Sequence, residues 1–197
     1  GANAGHTVVS DGETWKLSLI PSGILRDNVT CVVTGGVVLD PASAIREIDM
    51  LESRGVRVTD KLRLSDRAHV VFPWHVIEDG ILNGSLSSGE SIGTTGRGIG
   101  PCYRDKVGRS LAIRLGDLYR SDFRSTFNHI IEVKRRFLEA SQPAGSNVIE
   151  LDGDKIFDQY QGYAERLRDY VGETTNYLLD CVESGKPVLF EGAQGAL

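Results

Sequence analysis

The sequence predicts an α/β fold in which helices pack on a mostly parallel central sheet. Residues 29–33 are an apolar, β-branched run, which is typical of a buried parallel strand. The run resumes at 37–39, and Asp40-Pro41 then marks a helix start, with Asp as the N-cap and Pro at the first helical position. Short strand candidates follow at 56–58 and 62–64. Strand, helix and strand in this order form a βαβ unit, which indicates a parallel sheet.

The composition is that of a soluble globular protein and limits the kinds of partner. Of the 197 residues, 40% are hydrophobic and 25% are charged, and the formal net charge is −5. An acidic chain argues against a general nucleic-acid or acidic-membrane surface, so we expect no nucleic-acid partner and no membrane partner. Any phosphate site must therefore be a local cationic pocket.

The three cysteines favour a cytoplasmic protein. Cys31, Cys102 and Cys181 lie far apart and form no CxxC pair, so neither a disulfide framework nor a zinc site is expected. Buried reduced thiols in the cytosol are the simplest interpretation. No apolar run approaches the roughly 20 residues of a membrane span, and no secretory signal opens the chain.

The first element in the chain is predicted to be a β-hairpin over 7–19. Asp11-Gly12 supplies the turn signal, and apolar residues alternate with polar ones over 15–19. The helix that starts at Asp40 is expected to end at Gly55, which is well placed as a C-terminal cap.

Further elements are predicted in the second half of the chain. The patterns indicate a strand at 110–115, a long helix at 123–138, helices at 154–171 and 173–184, and a buried strand at 187–190. By its spacing Lys134 falls on the apolar face of the long helix, whereas the basic cluster to which it belongs is typical of a solvated face. Gln194 follows the last strand, at the end where ligands bind in open α/β sheets.

The stretch 91–109, SIGTTGRGIGPCYRDKVGR, has a composition that suits an anion. Four of its first ten residues are glycine, which lets a ligand approach the main chain closely. Its threonines offer hydroxyl donors, and its arginines and lysine add positive charge. Phosphate is the anion that such sites most often bind. A flexible loop without a ligand is the alternative, because the stretch is neither a P-loop nor a dinucleotide fingerprint.

His6 carries the strongest functional signal among the histidines. It lies beside Asn3, Gly5 and Thr7, and these four residues can serve one polar ligand. A solvated or core histidine is the alternative. The segment 65–69, SDRAH, follows a strand and either faces a site or combines a surface ion pair with a packed histidine. Two histidines are interpreted as structural: His75 and His129.

Three separated stretches together resemble one protein family. GANAGHTVV at 1–9, GTTGRGIGPCYRDKVGR at 93–109 and VLFEGAQG at 188–195 are similar to motifs of adenylosuccinate synthetase, and the intervening SDRAH and VVLDP match as well. The resemblance covers the whole chain, and its central motif is long and specific. It implies a P-loop-NTPase-like α/β fold, incomplete at both ends, with residues 1–197 as a single α/β domain fragment of a longer chain.

The resemblance implies an enzyme of purine biosynthesis. The family joins IMP and L-aspartate into adenylosuccinate on the route to AMP, with GTP as co-substrate and Mg²⁺ as cofactor, and is a GDP-forming ligase. GTP first phosphorylates the 6-oxygen of IMP, and aspartate then displaces that phosphate. Donors and cations of the kind described above suit this chemistry, because phosphoryl transfer is mostly positioning and charge neutralisation.

The resemblance also implies roles for matching positions of this chain. His6 matches the motif histidine that supports phosphoryl transfer as a general acid and stabilises developing charge. The implied IMP contacts are Asn3, Ala4, Gly5, His6, Thr95, Arg109 and Gln194. The implied GTP contacts are Gly5, His6 and Thr7, and the backbone of Gly5 matches a Mg²⁺ ligand. Arg97 is a possible contact to aspartate. Arg109 matches an arginine that reaches the IMP phosphate of the neighbouring subunit, which implies a homodimer.

The chain departs from the family pattern at several positions. Ala2 and Gly35 stand where the family usually carries Asn, and Cys102, Arg104 and Gly108 are variants of the central motif. Both ends look cut, since the family's first glycine-rich loop would precede the chain and guanine recognition would follow it. We therefore expect the fragment alone to be inactive.

Two other interpretations stay open on the sequence. One is a different phosphate-handling enzyme, such as a kinase-like NTPase that shares the sheet. A GxxxxGK[ST] loop upstream of this chain would favour it, whereas a GDEGKGK-like loop would favour the synthetase. The other is a non-catalytic fragment that only assembles with partners.

Overall fold

The structure, a computed structural model, describes residues 5–10, 12–84, 96–142 and 150–192. The strands in these ranges are β1 (His6–Ser10), β2 (Glu13–Leu17), β3 (Cys31–Val33), β4 (Val38–Leu39), β5 (Leu62–Ser65), β6 (His69–Val70) and β7 (Val171–Gly172). The α-helices are α1 (Pro41–Ser53), α2 (Pro73–Gly84), α3 (Ile99–Gly108), α4 (Phe123–Ser141), α5 (Gly153–Leu167) and α6 (Thr175–Glu183). None of the helices in the described ranges is both long and apolar enough to cross a membrane.

The predicted hairpin at the start of the chain is confirmed. Strands β1 and β2 pair antiparallel, with His6 opposite Leu17 and Thr7 opposite Lys16. Gly12 has a φ of +79° in the turn, a conformation that glycine adopts without steric cost. Because directly opposed residues share a face, His6 lies on the side of the buried Leu17, and Thr7 lies on the opposite side.

The predicted βαβ unit is confirmed as well. β3 pairs with β5 and β4 pairs with β6, both in parallel, and β7 extends the first of these sheets. The chain runs from β4 through α1 to β5, as expected. The Asp40 side chain caps α1 by accepting from the Ala42 amide at 3.1 Å, and Gly55 leaves the helix with a φ of +82°.

The strand predictions at 56–58 and 110–115 are wrong. The carbonyl of Val58 accepts from the amides of Lys61 and Leu62, so this backbone forms a turn into β5 rather than a ladder. The later segment touches β6 through one antiparallel bridge, between His69 and Arg114. It then enters a 3-10 turn at Leu115–Tyr119, which ends the pairing.

The buried strand predicted at 187–190 is wrong within the described residues. Leu189 is 93% exposed and Phe190 is 84% exposed. A strand buried in a parallel sheet needs a neighbour on each side, and the described part of the chain pairs no strand with this segment. Its apolar composition is therefore not matched by burial here.

The helix predictions agree closely with the structure. α4 covers the predicted 123–138. α6 lies within the predicted 173–184, and Gly185 follows it with a φ of +71°. The helix predicted at 154–171 ends earlier, at Leu167, because a 3-10 turn and β7 follow it. The buried Phe72, which precedes α2, stacks on Trp74 of α2 and on Tyr160 of α5, with ring centroids 4.3 and 4.1 Å away.

A buried ion cluster joins α2, α3 and α4. We define it as Glu78, Arg104, Asp105 and Lys134. The Lys134 Nζ lies 2.8 Å from a Glu78 oxygen and 2.5 Å from an Asp105 oxygen, and its side chain is 1% exposed. Arg104 pairs with the other Glu78 oxygen. Thus the apolar-face placement of Lys134 is confirmed, and a solvated position for this lysine is wrong.

Replacing Lys134 by Met should destabilise the fold strongly. The substitution leaves the Glu78 and Asp105 carboxylates buried without their shared cation, which costs about 3–5 kcal/mol of unfolding free energy. Urea unfolding at neutral pH measures the change. Lys155→Met on exposed α5 surface is the matched control, and we expect less than about 0.5 kcal/mol from it. Equal losses in the two variants would contradict the assigned role of the cluster.

Candidate functional site

His6 opens β1, and its ring is held between two acceptors. The Nε2 atom lies 3.4 Å from the Ile20 carbonyl oxygen and 3.3 Å from a Glu191 carboxylate oxygen. The side chain is half-buried, with 29% of its surface exposed. Because both neighbours of Nε2 are acceptors, this nitrogen carries the proton, and Nδ1 is the nitrogen that a neutral ring leaves unprotonated.

Glu191 connects the first and last motifs of the chain. Its carboxylate accepts from the Ser22 hydroxyl at 2.7 Å and from the Ser22 amide at 3.1 Å, while the other oxygen faces His6. Residues 185 positions apart are therefore brought together. The sequence reasoning missed Glu191 and weighted Gln194 instead, although a carboxylate at the start of the EGAQG segment was a visible signal.

Gly5 and Thr7 flank His6 and are both exposed. The Gly5 carbonyl is an oxygen donor of the kind that Mg²⁺ accepts. Among the described residues, no group of three or more His, Cys, Asp and Glu side chains could hold a metal ion. Mg²⁺ is usually bound through few protein oxygens together with substrate phosphates, so the donors present fit an ion that is shared with a nucleotide.

The structure describes residues 96–109 of the glycine-rich stretch. Residues 99–108 form α3, so the flexible-loop alternative is wrong for them. Gly96 and Gly98 have φ values of +63° and +71°, and Arg97 lies between them with an exposed side chain. We call Gly96–Arg97–Gly98 the glycine turn.

The cations of the stretch do not gather around one point. The Lys106 ammonium donates to the carbonyls of Gly35 and Gly36, at 2.8 and 2.9 Å, and burial lowers the pKa of Lys106. Arg104 belongs to the buried ion cluster. Lys106 therefore holds neighbouring backbone and Arg104 holds a neighbouring helix. All three arginines of the stretch are exposed, and Arg104 differs from Arg97 and Arg109 in its ion pair with Glu78.

Arg97 borders a cavity of about 870 Å³ at the carboxyl ends of β4 and β6. This is the edge at which ligands bind in α/β sheets. The polar part of its lining includes Lys16, Asp40, Arg46 and Arg97, and the apolar part includes Phe72 and Tyr160. The cavity and the His6 site lie on different sides of the hairpin, since Lys16 lines the cavity and is opposite Thr7, not His6.

Arg109 ends α3 in an unusual conformation. Its φ is +68°, and in the described part of the chain no other non-glycine residue has a positive φ. Its amide donates to the Asp105 carbonyl at 2.8 Å, while its side chain is exposed and forms no ion pair with another described residue. Strained backbone of this kind clusters at ligand clamps and active sites.

The structure thus places the predicted site residues in three groups. Gly5, His6 and Thr7 are adjacent on β1, with Glu191 beside them. Arg97 and Arg109 lie at opposite ends of α3. The predictions for Asn3, Ala4, Thr95 and Gln194 lie outside the described residues.

The structure favours the packed alternative for the histidine of SDRAH. His69 is 6% exposed, and its Nδ1 atom has no hydrogen-bond partner in the described part of the chain. Burial lowers the pKa of His69 to about 4, and the positive charges of Lys106 and Arg114 act in the same direction. His75 is structural, as expected, because its Nδ1 accepts from the Phe72 amide. His129 is exposed on α4.

The fold and the site define an α/β protein with a ligand crevice at the carboxyl ends of its parallel strands. A family model described as adenylosuccinate synthetase matches residues 1–197. The chain therefore belongs to the adenylosuccinate synthetase family.

Relatives from several bacteria and one parasite are similar over nearly the whole chain. An adenylosuccinate synthetase from Caldanaerobacter subterraneus is 46% identical over 199 residues, which cover 100% of this chain and 45% of that protein. One from Clostridium botulinum is also 46% identical, with the same coverage. A solved structure of fully ligated adenylosuccinate synthetase from Plasmodium falciparum is 34% identical, with a TM-score of 0.80, covering 94% of this chain and 42% of that one.

These likenesses settle the fold class and the extent of the match. The predicted α/β, P-loop-NTPase-like fold class is confirmed, as is the family resemblance. The chain spans about half the length of the relatives that it matches, or 45% for the two bacterial proteins.

Replacing His69 should make the free energy of unfolding depend less on pH. The folded state keeps His69 neutral down to about pH 4, whereas the unfolded chain protonates it near pH 6.5. Its contribution is thus present above pH 6.5 and lost as the pH falls toward 4, by about 3 kcal/mol in total. We expect His69→Gln to lose that part of the acid destabilisation in urea unfolding between pH 7.5 and 4.5.

The exposed His129→Gln variant is the control for this experiment. It should keep the pH dependence of the unmodified protein. An unchanged slope in His69→Gln would contradict a buried neutral His69.

Proposed function

We propose that this chain is the part of an adenylosuccinate synthetase that carries the catalytic histidine and a share of the IMP and GTP sites. The protein would ligate IMP and L-aspartate in AMP biosynthesis, in a reaction driven by GTP. One observation carries the proposal: the contact of His6 with Glu191 brings the GANAGHTVV and VLFEGAQG motifs to one place. Family membership supplies the substrates.

The proposed reaction has two balanced steps. The 6-oxygen of IMP attacks the γ-phosphorus of GTP while N1 of IMP gives up its proton to a base. The P–O bond of 6-phosphoryl-IMP forms, the bond between the γ-phosphorus and the β,γ-bridging oxygen breaks, and GDP leaves. The amine of aspartate then attacks C6, phosphate leaves with the former 6-oxygen, and a proton is lost from nitrogen. The products are adenylosuccinate, GDP and phosphate.

His6 would act on the phosphoryl group and the 6-oxygen. In the structure its Nε2–H is directed to Ile20 and Glu191, so these two acceptors orient the ring. A ring held in this way presents Nδ1 to a ligand, and it can donate from Nδ1 only as an imidazolium. Such a cation both stabilises developing negative charge and serves as a general acid.

Mg²⁺ would neutralise charge on the GTP phosphates when bound. The Gly5 carbonyl is the described protein group that we assign to it, and Gly5, His6 and Thr7 would run along the phosphates. The hydroxyl of the exposed Thr7 is a suitable donor for phosphate oxygens.

The remaining substrate contacts are proposed from the family pattern. Asn3, Ala4, Thr95 and Gln194 would bind IMP with Gly5 and His6. Arg97, which is exposed, would contact aspartate. A guanidinium binds a carboxylate with two parallel hydrogen bonds.

We further propose a cytoplasmic homodimer in which Arg109 reaches the IMP phosphate of the neighbouring subunit. Its exposed side chain without a described ion-pair partner, on backbone with a φ of +68°, supports a role outside its own chain. The free, buried Cys31, Cys102 and Cys181 support a reducing compartment. IMP, L-aspartate and GTP are the proposed partners, without nucleic acid or membrane.

The function is tested by assaying the full gene product for GTP-dependent adenylosuccinate formation. We expect activity in the unmodified protein and a loss of about 10²–10⁴-fold in kcat for His6→Asn, the range for removal of an acid–base group. His129→Asn, at an exposed position on α4, should keep full activity.

No product from the full gene product would refute the proposed reaction. Full activity in His6→Asn would refute only the role assigned to His6 and would leave the proposed reaction standing. Turnover by residues 1–197 alone would contradict the expectation that the fragment is inactive. Titration of the folded fragment with IMP addresses the non-catalytic alternative, which absence of heat would favour.

Replacing Arg109 by Leu should raise the KM for IMP by about 10–100-fold, as expected for a lost charge-assisted contact to phosphate. Dimer mass should not change, and Arg136→Leu on exposed α4 surface should leave the KM unchanged. Mixing the Arg109→Leu and His6→Asn proteins separates action within a subunit from action across subunits. At an IMP concentration far below the KM of Arg109→Leu, activity of the mixture above the sum of the two separate proteins requires Arg109 to act on the neighbouring site. No gain over that sum would contradict this.

A further inference from the structure

We propose that Asp79 is a positioning residue that fixes the glycine turn for ligand binding, and that the buried ion cluster holds Asp79 in place. The Asp79 carboxylate accepts from the Gly98 amide at 3.0 Å, and Asp79 is 5% exposed. The inference rests on the proposed function only in naming Arg97, between the two glycines, as a substrate contact.

The glycine turn is docked closely against α2. A Cβ atom added to Gly98 would lie 2.7 Å from the carbonyl carbon of His75 and from the amide nitrogen of Val76. The φ of Gly98 is also +71°. Position 98 therefore accepts only glycine for two independent reasons, the lack of space for a Cβ atom and the left-handed backbone. The close approach brings the Gly98 amide within reach of Asp79, one turn further along the helix.

The carboxylate of Asp79, a residue of α2, lies at the N-terminal end of α3. Gly98 is the N-cap of that helix, and a carboxylate there interacts favourably with the helix dipole. The Gly98 amide is therefore bound within the protein and is not offered to an incoming anion. The turn consequently has two sides: Gly98 faces Asp79, whereas Gly96 and Arg97 line the cavity.

The ion cluster determines where Asp79 lies. Glu78 precedes it on α2, and both Glu78 oxygens are fixed, one by Lys134 from α4 and the other by Arg104 from α3. His75, one turn earlier, donates from Nε2 to the Asp105 carboxylate at 3.1 Å. The register of α2 against α3 is thereby set at His75 and Glu78, which lie among the residues that contact Gly98.

The balance of charges explains why this arrangement suits a positioning role. Glu78 and Asp105 are matched by Arg104 and Lys134, and burial of such pairs adds little net stability compared with apolar packing. Hydrogen bonds from His75 and Lys134 outweigh burial and lower the pKa of Asp105, which favours the ionised form of this carboxyl group. What the cluster provides is a fixed geometry, which ligand binding requires to well within 1 Å.

The test uses the full gene product with Asp79→Ala, Asp79→Asn and a matched control. Asp152→Ala is the control, since Asp152 also caps a helix, α5, by accepting a backbone amide, and lies outside the cavity. We expect Asp79→Ala to raise the KM for aspartate about tenfold or more with the KM for GTP unchanged. Asp79→Asn keeps an acceptor oxygen and should restore most of the loss.

A second readout does not depend on activity. Amide hydrogen exchange and the ¹⁵N shift of Gly98 report its bond to Asp79 directly. We expect loss of protection at Gly98 in Asp79→Ala and retained protection in Asp79→Asn and Asp152→Ala.

The outcomes separate the positioning role from the proposed function. Unchanged KM values in a folded Asp79→Ala protein, or unchanged protection at Gly98, would overturn the positioning role. An inactive unmodified protein would refute the proposed function, and the exchange measurement alone would then decide whether Asp79 fixes the turn. If Asp79→Ala fails to fold, Asp79→Asn decides the question. A KM for aspartate raised about tenfold together with lost protection at Gly98 in Asp79→Asn would then overturn the proposal.

Discussion

A single buried ammonium group holds the helical layer of this protein together. Lys134 projects from α4 between a carboxylate of α2 and a carboxylate of α3, and its side chain is 1% exposed. Three helices distant in sequence are thereby fixed to one another by charge rather than by apolar contact alone. A buried charge without a partner costs free energy. Displacement of one of the three helices would therefore leave buried charges on the other two unpaired and would destabilise the fold. The glycine turn directly precedes α3, so fixing α3 also fixes the position of the turn.

The departures from the family pattern become understandable from local contacts. Gly35 lies in a turn where an added Cβ would be 3.1 Å from the Cβ of Arg67, and Lys106 binds the carbonyls of this turn and its neighbour. Arg104 supplies one of the two cations of the ion cluster. The thiol of Cys102 donates to the Val70 carbonyl at 3.4 Å, and burial raises its pKa to about 12. Nothing in the structure explains Gly108, which faces open space.

Local signals in the sequence predicted the elements that local interactions determine. The Asp40-Pro41 start of α1 and the turn at Gly12 depend on neighbours within a few residues, and both predictions were confirmed. The apolar run at 187–190 also looked like a strand. Its pairing depends on partners elsewhere in the chain, which its own pattern cannot specify.

The candidate site was predicted only in part for the same reason. The motif around His6 was visible as a sequence, but Glu191, which helps to orient the ring, is held by Ser22 across 169 positions. Asp79 lay outside every motif, and its role follows from a contact with Gly98, across 19 residues. Sequence patterns identify the chemistry of such groups, whereas their assembly depends on packing.

We propose that the separated motifs meet around one purine monophosphate. A crystal structure of the full gene product with bound IMP would show whether they do. We expect IMP to lie within hydrogen-bonding distance, about 3 Å, of both His6 and the VLFEGAQG segment. IMP bound at another surface, with His6 in contact only with its own chain, would contradict it.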